Sequence, residues 1–260
     1  MKWSIPAKTF LLGEYAALEG KSAIILTTAP YFELSVTSNE ASHPIHKDSP
    51  AGLWLQKHPI DSALSWKDPY QGQGGLGASS AQFLACYLAS NGSSTFDLES
   101  MLKAYYQSAW SGKGLRPSGY DVIAQSQYGC VYINKTNKVI KPYTWPFQDL
   151  AFFLIHTGCK LATHQYLQET TLPSQTTMLS SIVEEAQSAF IHNDSNLLVL
   201  SINTYHQQLL QLNKVAPHSL KLINKLTSYE EVLAIKGCGA MGSDIILVLC
   251  QSQDKASLRT

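Results

Sequence analysis

The sequence has no surplus of charge of either sign: 19 Lys and Arg offset 19 Asp and Glu over 260 residues. A protein that neutralises nucleic-acid phosphates needs a basic face, so no nucleic-acid partner is expected and a small-molecule partner is. No apolar run approaches the roughly 18 residues of a membrane helix, and Met1-Lys2-Trp3-Ser4-Ile5-Pro6 lacks the apolar segment of a signal peptide. The expectation is a cytoplasmic protein with no membrane partner. The five cysteines (Cys86, Cys130, Cys159, Cys238, Cys250) include no Cys-x-x-Cys pair and lie in scattered apolar stretches, which points to buried thiols rather than zinc or a disulfide framework. There is no internal repeat. With 45% hydrophobic residues, the chain can bury a core as one large domain or two packed halves.

What the chain does carry is Gly74-Gly75-Leu76-Gly77-Ala78-Ser79-Ser80-Ala81, running directly into the apolar pattern Phe83, Leu84, Cys86, Tyr87, Leu88. Glycines let the backbone turn its N–H groups inward, and a helix starting at the serines adds its positive dipole end. That combination binds phosphate, although glycine loops before helices also serve as plain tight turns.

Periodicity sets the surroundings of this loop. Strand-like runs occupy 9–12, 22–26 and 31–36, separated by Gly13, Gly20 and Pro30. Residues 39–73 are polar, without a strong period, and read as loops with short elements. Helical patterns cover 79–91 and 97–110, the second entered through Ser93-Ser94-Thr95, and a shorter helix is expected to begin near Pro117-Ser118. Strands recur at 129–133 and 150–155, three helices at 174–192, 195–213 and 217–227, and a final strand pair at 232–235 and 245–249. Proline and aromatic residues at Tyr143-Thr144-Trp145-Pro146 mark a boundary between residues 1–146 and 147–260.

Two further segments carry chemistry. Lys236-Gly237-Cys238-Gly239-Ala240-Met241-Gly242-Ser243-Asp244 is a second small-residue loop, able to approach a ligand or simply to connect two strands. Arg116-Pro117-Ser118-Gly119-Tyr120-Asp121 places an acid in the first turn of a helix, where Asp can also serve only to complement the dipole.

Taken together, these segments resemble the GHMP small-molecule kinases. Pro6 to Tyr15 is similar to that family's N-terminal motif, Gly74 to Ala81 to its phosphate loop, and Gly237 to Gly242 to its C-terminal glycine motif. Pro117-Ser118-Gly119-Tyr120-Asp121 resembles the Ser-Gly-x-Asp segment that bears the catalytic acid in the mevalonate-kinase branch. Ile155 to Thr163 resembles the strand and Thr-Gly…Thr segment that opens the second domain. All five occur in order over residues 6–244.

The resemblance implies an α+β fold with an N-terminal half of the ribosomal-protein-S5-domain-2 type, a ferredoxin-like C-terminal half, and a site in the cleft between them. It implies ATP and Mg2+, with Gly74, Gly75, Gly77, Ala78, Ser79 and Ser80 on the phosphates and Ser79 or Ser80 on the metal. Asp121 would accept or orient the acceptor proton, and Lys8 beside it would polarise the acceptor oxygen. Glu14, Tyr15, Ser118, Gly119, Thr157, Lys160, Thr163 and Gly239 would contact the acceptor, in a monomer or homodimer. Gly13-Glu14-Tyr15 looks more like phosphomevalonate kinases than mevalonate kinases; Lys113, Arg116, Lys160 and His164 are candidate cations for a phosphorylated acceptor, or ordinary surface charges. Three departures stand against the pattern. Ala7 replaces a glycine, Ala78 shifts the phosphate loop, and Tyr105 to Trp110 contains no carboxylate where mevalonate kinases place a magnesium ligand. A fold-retaining relative that binds a ligand without catalysis, or a kinase of a sugar or homoserine, remains a second reading.

Overall fold

The computed structural model describes residues 1–37, 45–92, 97–159, 166–168, 170–173 and 175–259. Lys160 and Thr163 therefore lie outside the described residues, as do His164 and Ser93-Ser94-Thr95.

The first sheet is built from β1 (Lys2–Leu12), β2 (Ala23–Thr37), β3 (Ala63–Lys67), β4 (Cys130–Asn134) and β5 (Val139–Tyr143), in the order β1-β2-β4-β5 with β3 pairing β2. β1 starts seven residues before the expected run at 9–12 and passes through Pro6. The register with β2 shifts between Ile5 and Ala7, so the proline, which has no N–H to give the ladder, falls at an irregularity. β5 was not anticipated. It is short, contains Pro142 and lies at the sheet edge, where a missing N–H is tolerated.

Of the helices α1 (Pro50–Lys57), α2 (Ala78–Asn91), α3 (Leu98–Ala109) and α4 (Tyr120–Gln127), α2 and α4 pack on this sheet, α1 packs against α2 and α3, and α3 also meets α4. α1 is one of the short elements in the stretch read as loops with short elements; Ser49 accepts from the Gly52 amide and Pro50 occupies the first turn, a complete local start signal for a short helix. α4 begins three residues later than Pro117, because Gly119 takes a left-handed conformation (φ 75°) and becomes the N-cap.

The second sheet, in the order β6-β8-β7, contains β6 (Leu150–His156), β7 (Val232–Cys238) and β8 (Ile245–Gln251), all antiparallel. α5 (Thr176–His192), α6 (Ser195–Gln211) and α7 (Pro217–Leu226) accompany it. One core joins the sheets: Leu11, Leu12, Ile24 and Phe83 from the first part cluster with Leu179, Ile202, Tyr205, Leu247 and Leu249 from the second. A smaller cluster seats α7 on the other face of the second sheet through Ile223, Ile235, Ile246 and Val248. Among the described residues no helix is long and apolar enough to cross a membrane.

Candidate active site

β1, the glycine loop and α4 converge on one ion pair. Lys8 projects from β1, and its Nζ lies 2.8 Å from Asp121 Oδ2 in the first turn of α4. The lysine side chain is 10% exposed and the aspartate 30%, so the pair sits at a surface opening with its cation the deeper member. The Lys8 amide donates to Leu76 O at 3.0 Å, which ties the strand to the glycine loop.

The loop's glycines are required by contact as well as by turning. Gly77 caps α2 at φ 79°, and a Cβ there would come within 2.8 Å of both Lys8 Cγ and Cε; the lysine stem reaches Asp121 across the space that the missing side chain leaves. Gly75 abuts the second sheet in the same way, where a Cβ would approach Asp244 Cβ at 2.7 Å and Ile245 Cγ1 at 2.6 Å. Gln125, one turn after Asp121 on α4, donates through Nε2 to Pro6 O at 2.9 Å and to Gly77 O at 3.1 Å. The helix that carries the acid thus also holds the strand and the loop.

The two serines are distinguished. Ser80 is buried and its hydroxyl donates to Gly77 O at 3.0 Å, whereas Ser79 is exposed at the start of α2. The first amides of that helix have no intrahelical partner, and a helix start of this kind is able to hold an anion. Beside it a cavity of about 470 Å³ is lined by residues including Thr28, Tyr70, Gln73 and Leu76 from the first part and Phe152, Leu154 and His156 from β6; among the described residues no Lys or Arg lines it. Burial pushes the His156 imidazole below its ordinary pKa, with the nearby Asp244 opposing.

Solved structures share this architecture from end to end. Streptococcus pneumoniae phosphomevalonate kinase, in complex with phosphomevalonate and AMPPNP, aligns with a TM-score of 0.76 at 15% identity, covering 100% of this chain and 95% of that one. Methanococcus jannaschii mevalonate kinase gives 0.75 at 14% identity over 100% and 93%. Lactococcus lactis galactokinase, complexed with galactose, gives 0.76 at 11% identity over 99% and 87%. The fold is that of the GHMP kinases. Neither a protein-family model nor a curated protein sequence matches the chain.

Within this GHMP-kinase fold the remaining residues singled out in the sequence lie ahead of α4, at the β6–β8 end and in the turn after β1. Ser118 and Gly119 immediately precede α4, and the Ser118 hydroxyl accepts from the Tyr120 amide at 3.3 Å. Thr157 continues the β6–β8 ladder: its amide donates to Asp244 O at 3.1 Å and its hydroxyl to Ser243 O at 2.5 Å. Gly239 (φ 86°) opens the turn 240–242, closed by the Gly242 amide on Gly239 O at 3.0 Å.

Glu14 and Tyr15, expected at the acceptor, follow β1 directly, and both side chains are largely enclosed. Glu14 is ion-paired with the fully buried Lys236 of β7. Tyr15 is 2% exposed; its hydroxyl lies 3.2 Å from the Tyr166 hydroxyl and accepts from the Met241 amide at 3.3 Å. Both follow Gly13 in the chain reversal between β1 and β2. Lys113 and Arg116 are exposed, and the Arg116 guanidinium lies 4.6 Å over the Tyr106 ring.

Three residues of this region were not singled out for a role in the sequence. Gln125 could have been found from its spacing four residues after Asp121, which puts both on one helix face. Lys236 carries a signal of its own, a charge directly after the apolar run Leu233-Ala234-Ile235. His156 offers none beyond its place at a strand end.

Proposed function

We propose that the protein is an ATP-dependent phosphotransferase acting on a small alcohol, with mevalonate or phosphomevalonate as the first acceptors to test. The observation that carries this reading is the Lys8–Asp121 pair, 2.8 Å apart, placed against a glycine loop whose Gly77 gives way to the lysine itself. Phosphoryl transfer to an alcohol needs an anion cradle, an aligned acceptor and a group to receive or orient its proton. The loop from Gly74 to Ser80 supplies the first through backbone amides at the start of α2. Asp121 would receive the acceptor proton and Lys8 would polarise the acceptor oxygen.

The donor set suits magnesium better than a softer metal. The exposed Ser79 hydroxyl is a hard oxygen beside the cradle, and among the described residues no group of three or more His, Cys, Asp or Glu could hold a metal by itself. Mg2+ keeps several waters and binds through phosphate oxygens with few protein ligands, so Ser79 would be its protein contact. When bound, the ion neutralises charge on the transferred phosphate.

The acceptor's charge is the open axis. Among the described residues the cavity beside the loop is lined without Lys or Arg, so from these a phosphorylated acceptor would draw no cation. Mevalonate or phosphomevalonate is favoured by the resemblance of Gly13-Glu14-Tyr15 and Ser118-Gly119-Tyr120-Asp121 to that branch. A second reading, ligand binding without catalysis, is favoured by one observation: Tyr105 to Trp110 carries no carboxylate.

A coupled ADP-release assay against mevalonate, phosphomevalonate, homoserine and galactose decides among these. Turnover with either of the first two is expected to exceed the others. A galactose or homoserine advantage above about tenfold in kcat/KM, roughly 1.4 kcal/mol of transition-state binding, overturns the acceptor assignment. No ADP release with any of the four, together with calorimetric ATP binding, selects the non-catalytic reading.

A further inference from the structure

Three segments meet at one carbonyl just ahead of α4. Ser118 O accepts from Tyr106 Oη of α3 at 2.8 Å and from Lys135 Nζ, in the turn after β4, also at 2.8 Å. Lys135 Nζ donates in addition to Tyr106 Oη at 2.7 Å. The Lys135 amide donates to Tyr120 Oη at 3.0 Å, and that hydroxyl donates onward to Lys21 O at 2.8 Å. Gly119 is pressed into the same corner, where a Cβ would lie 2.6 Å from Tyr106 Oη.

A lysine is an expensive choice for this corner. The titratable or charged groups that face it are Tyr106 from α3, Tyr120 from α4 and Arg116 from the connection between them, and none is an acid. Burial first, and the Arg116 charge second, push the ammonium down to about 8. A cation near the start of a helix also opposes the dipole. Tyr106 alone would satisfy one lone pair of the Ser118 carbonyl, so stability does not call for a second, charged donor. What the second donor adds is direction: two convergent bonds, one of them charge-assisted, fix a carbonyl where one would let it swing.

We propose that Lys135 is a positioning residue which, by clamping Ser118 O together with Tyr106, sets the start of α4 and so the orientation of Asp121 toward Lys8. The proposal rests on the reading that Asp121 takes the acceptor proton, and it adds a residue with no place in the motifs that suggested that reading. Ser118 is three residues before Asp121, and no other element intervenes.

The test compares wild type with Lys135→Met and Lys135→Arg. Amide hydrogen exchange reads the geometry without any reaction: in Lys135→Met, exchange over 120–124 is expected to rise at least about tenfold relative to 83–87 in α2. A displaced catalytic group costs up to about 10²-fold, so kcat is expected to fall about 10- to 100-fold while AMPPNP affinity stays within about twofold. The wild-type kcat should show an alkaline limb near pH 8, which Lys135→Met lacks and Lys135→Arg moves upward because arginine stays charged. Exchange that rises equally in 83–87 and 120–124, or an unchanged kcat, overturns the proposal and leaves Lys135 a stabilising residue. If wild type transfers phosphate to no alcohol, the reading of Asp121 fails, while the exchange contrast still decides whether Lys135 sets the start of α4.

Discussion

Lys236 Nζ donates to Glu14 Oε1 across 222 positions of sequence, with the lysine side chain 0% exposed and the glutamate 6%. Burial pushes the Glu14 carboxyl up from its ordinary range, and Lys236 pulls against it. Burial also opposes the charge on Lys236, but Cys238 and Glu14 outweigh it and hold the ammonium above its ordinary value. The bond ties the turn after β1 to β7, one residue before the second glycine turn, and so joins the strand that carries Lys8 to the other sheet.

Breaking that pair should cost far more than deleting it. Lys236→Met leaves the glutamate buried without its counter-charge and is expected to lower stability by about 3–5 kcal/mol, as is typical when one member of a buried ion pair is removed. Lys236→Met combined with Glu14→Leu should recover most of that loss, because neither charge remains to be desolvated. Urea denaturation of both variants checks this. A single-mutant loss below about 1 kcal/mol would show that the pair is not what joins the two parts.

Gly77 links the glycine loop to the lysine. Gly77→Val meets two penalties at once, a left-handed backbone at φ 79° and contact with the Lys8 stem at 2.8 Å. The stem is the movable partner, so the variant should fold with Lys8 displaced from Asp121, losing ATP affinity and activity together. Unchanged ATP affinity by calorimetry in a folded Gly77→Val protein would remove the loop from the nucleotide site.

The glycine loop was legible in the sequence as a local pattern, glycines before an apolar helix, whereas the placement of Lys8 beside Asp121 came only from the resemblance to the GHMP kinases. Helices α2, α3, α5, α6 and α7 were legible as local patterns too, since each has a long apolar period. Short elements were not. β5 spans five residues with a proline inside, and α1 spans eight in a polar stretch, too few for a period to stand out. The partners of Glu14 and Tyr15 were not legible, because motif position says which loop a residue occupies, not which way it faces; Lys236, Tyr166 and Met241 are more than 150 residues away.

Acid should destabilise the protein through His206. This imidazole on α6 is 5% exposed, and burial first, with the Lys236 charge second, pushes it down to about 4. A folded-state pKa below the unfolded value near 6.5 means that the unfolded chain binds the proton more readily. Stability is therefore full above about pH 6.5 and falls as pH drops from there toward 4, by on the order of 2 kcal/mol from this group. His206→Gln should show a smaller loss between pH 7 and pH 4.5 than wild type in urea titrations. An identical pH dependence in the two proteins would exclude His206 as the source.

Asp121 and Lys8 should act on the transition state more than on the bound substrates. Asp121→Asn keeps the side chain's shape while removing its charge and basicity, so ATP affinity should change little and kcat should fall about 10²–10⁴-fold if the carboxylate receives the acceptor proton. Lys8→Met removes the cation 2.8 Å away and should also lower kcat. Because the two form one ion pair, the double variant should lose less than the product of the single losses. The alternative role for Asp121 is a first-turn residue complementing the dipole of α4, worth about 0.3–1 kcal/mol of stability. Measuring kcat, ATP affinity and Tm in all three variants separates the two roles. Near-normal kcat in Asp121→Asn rules out the proton acceptor, and a fall in Tm without a fall in kcat per folded molecule assigns the residue to the helix instead.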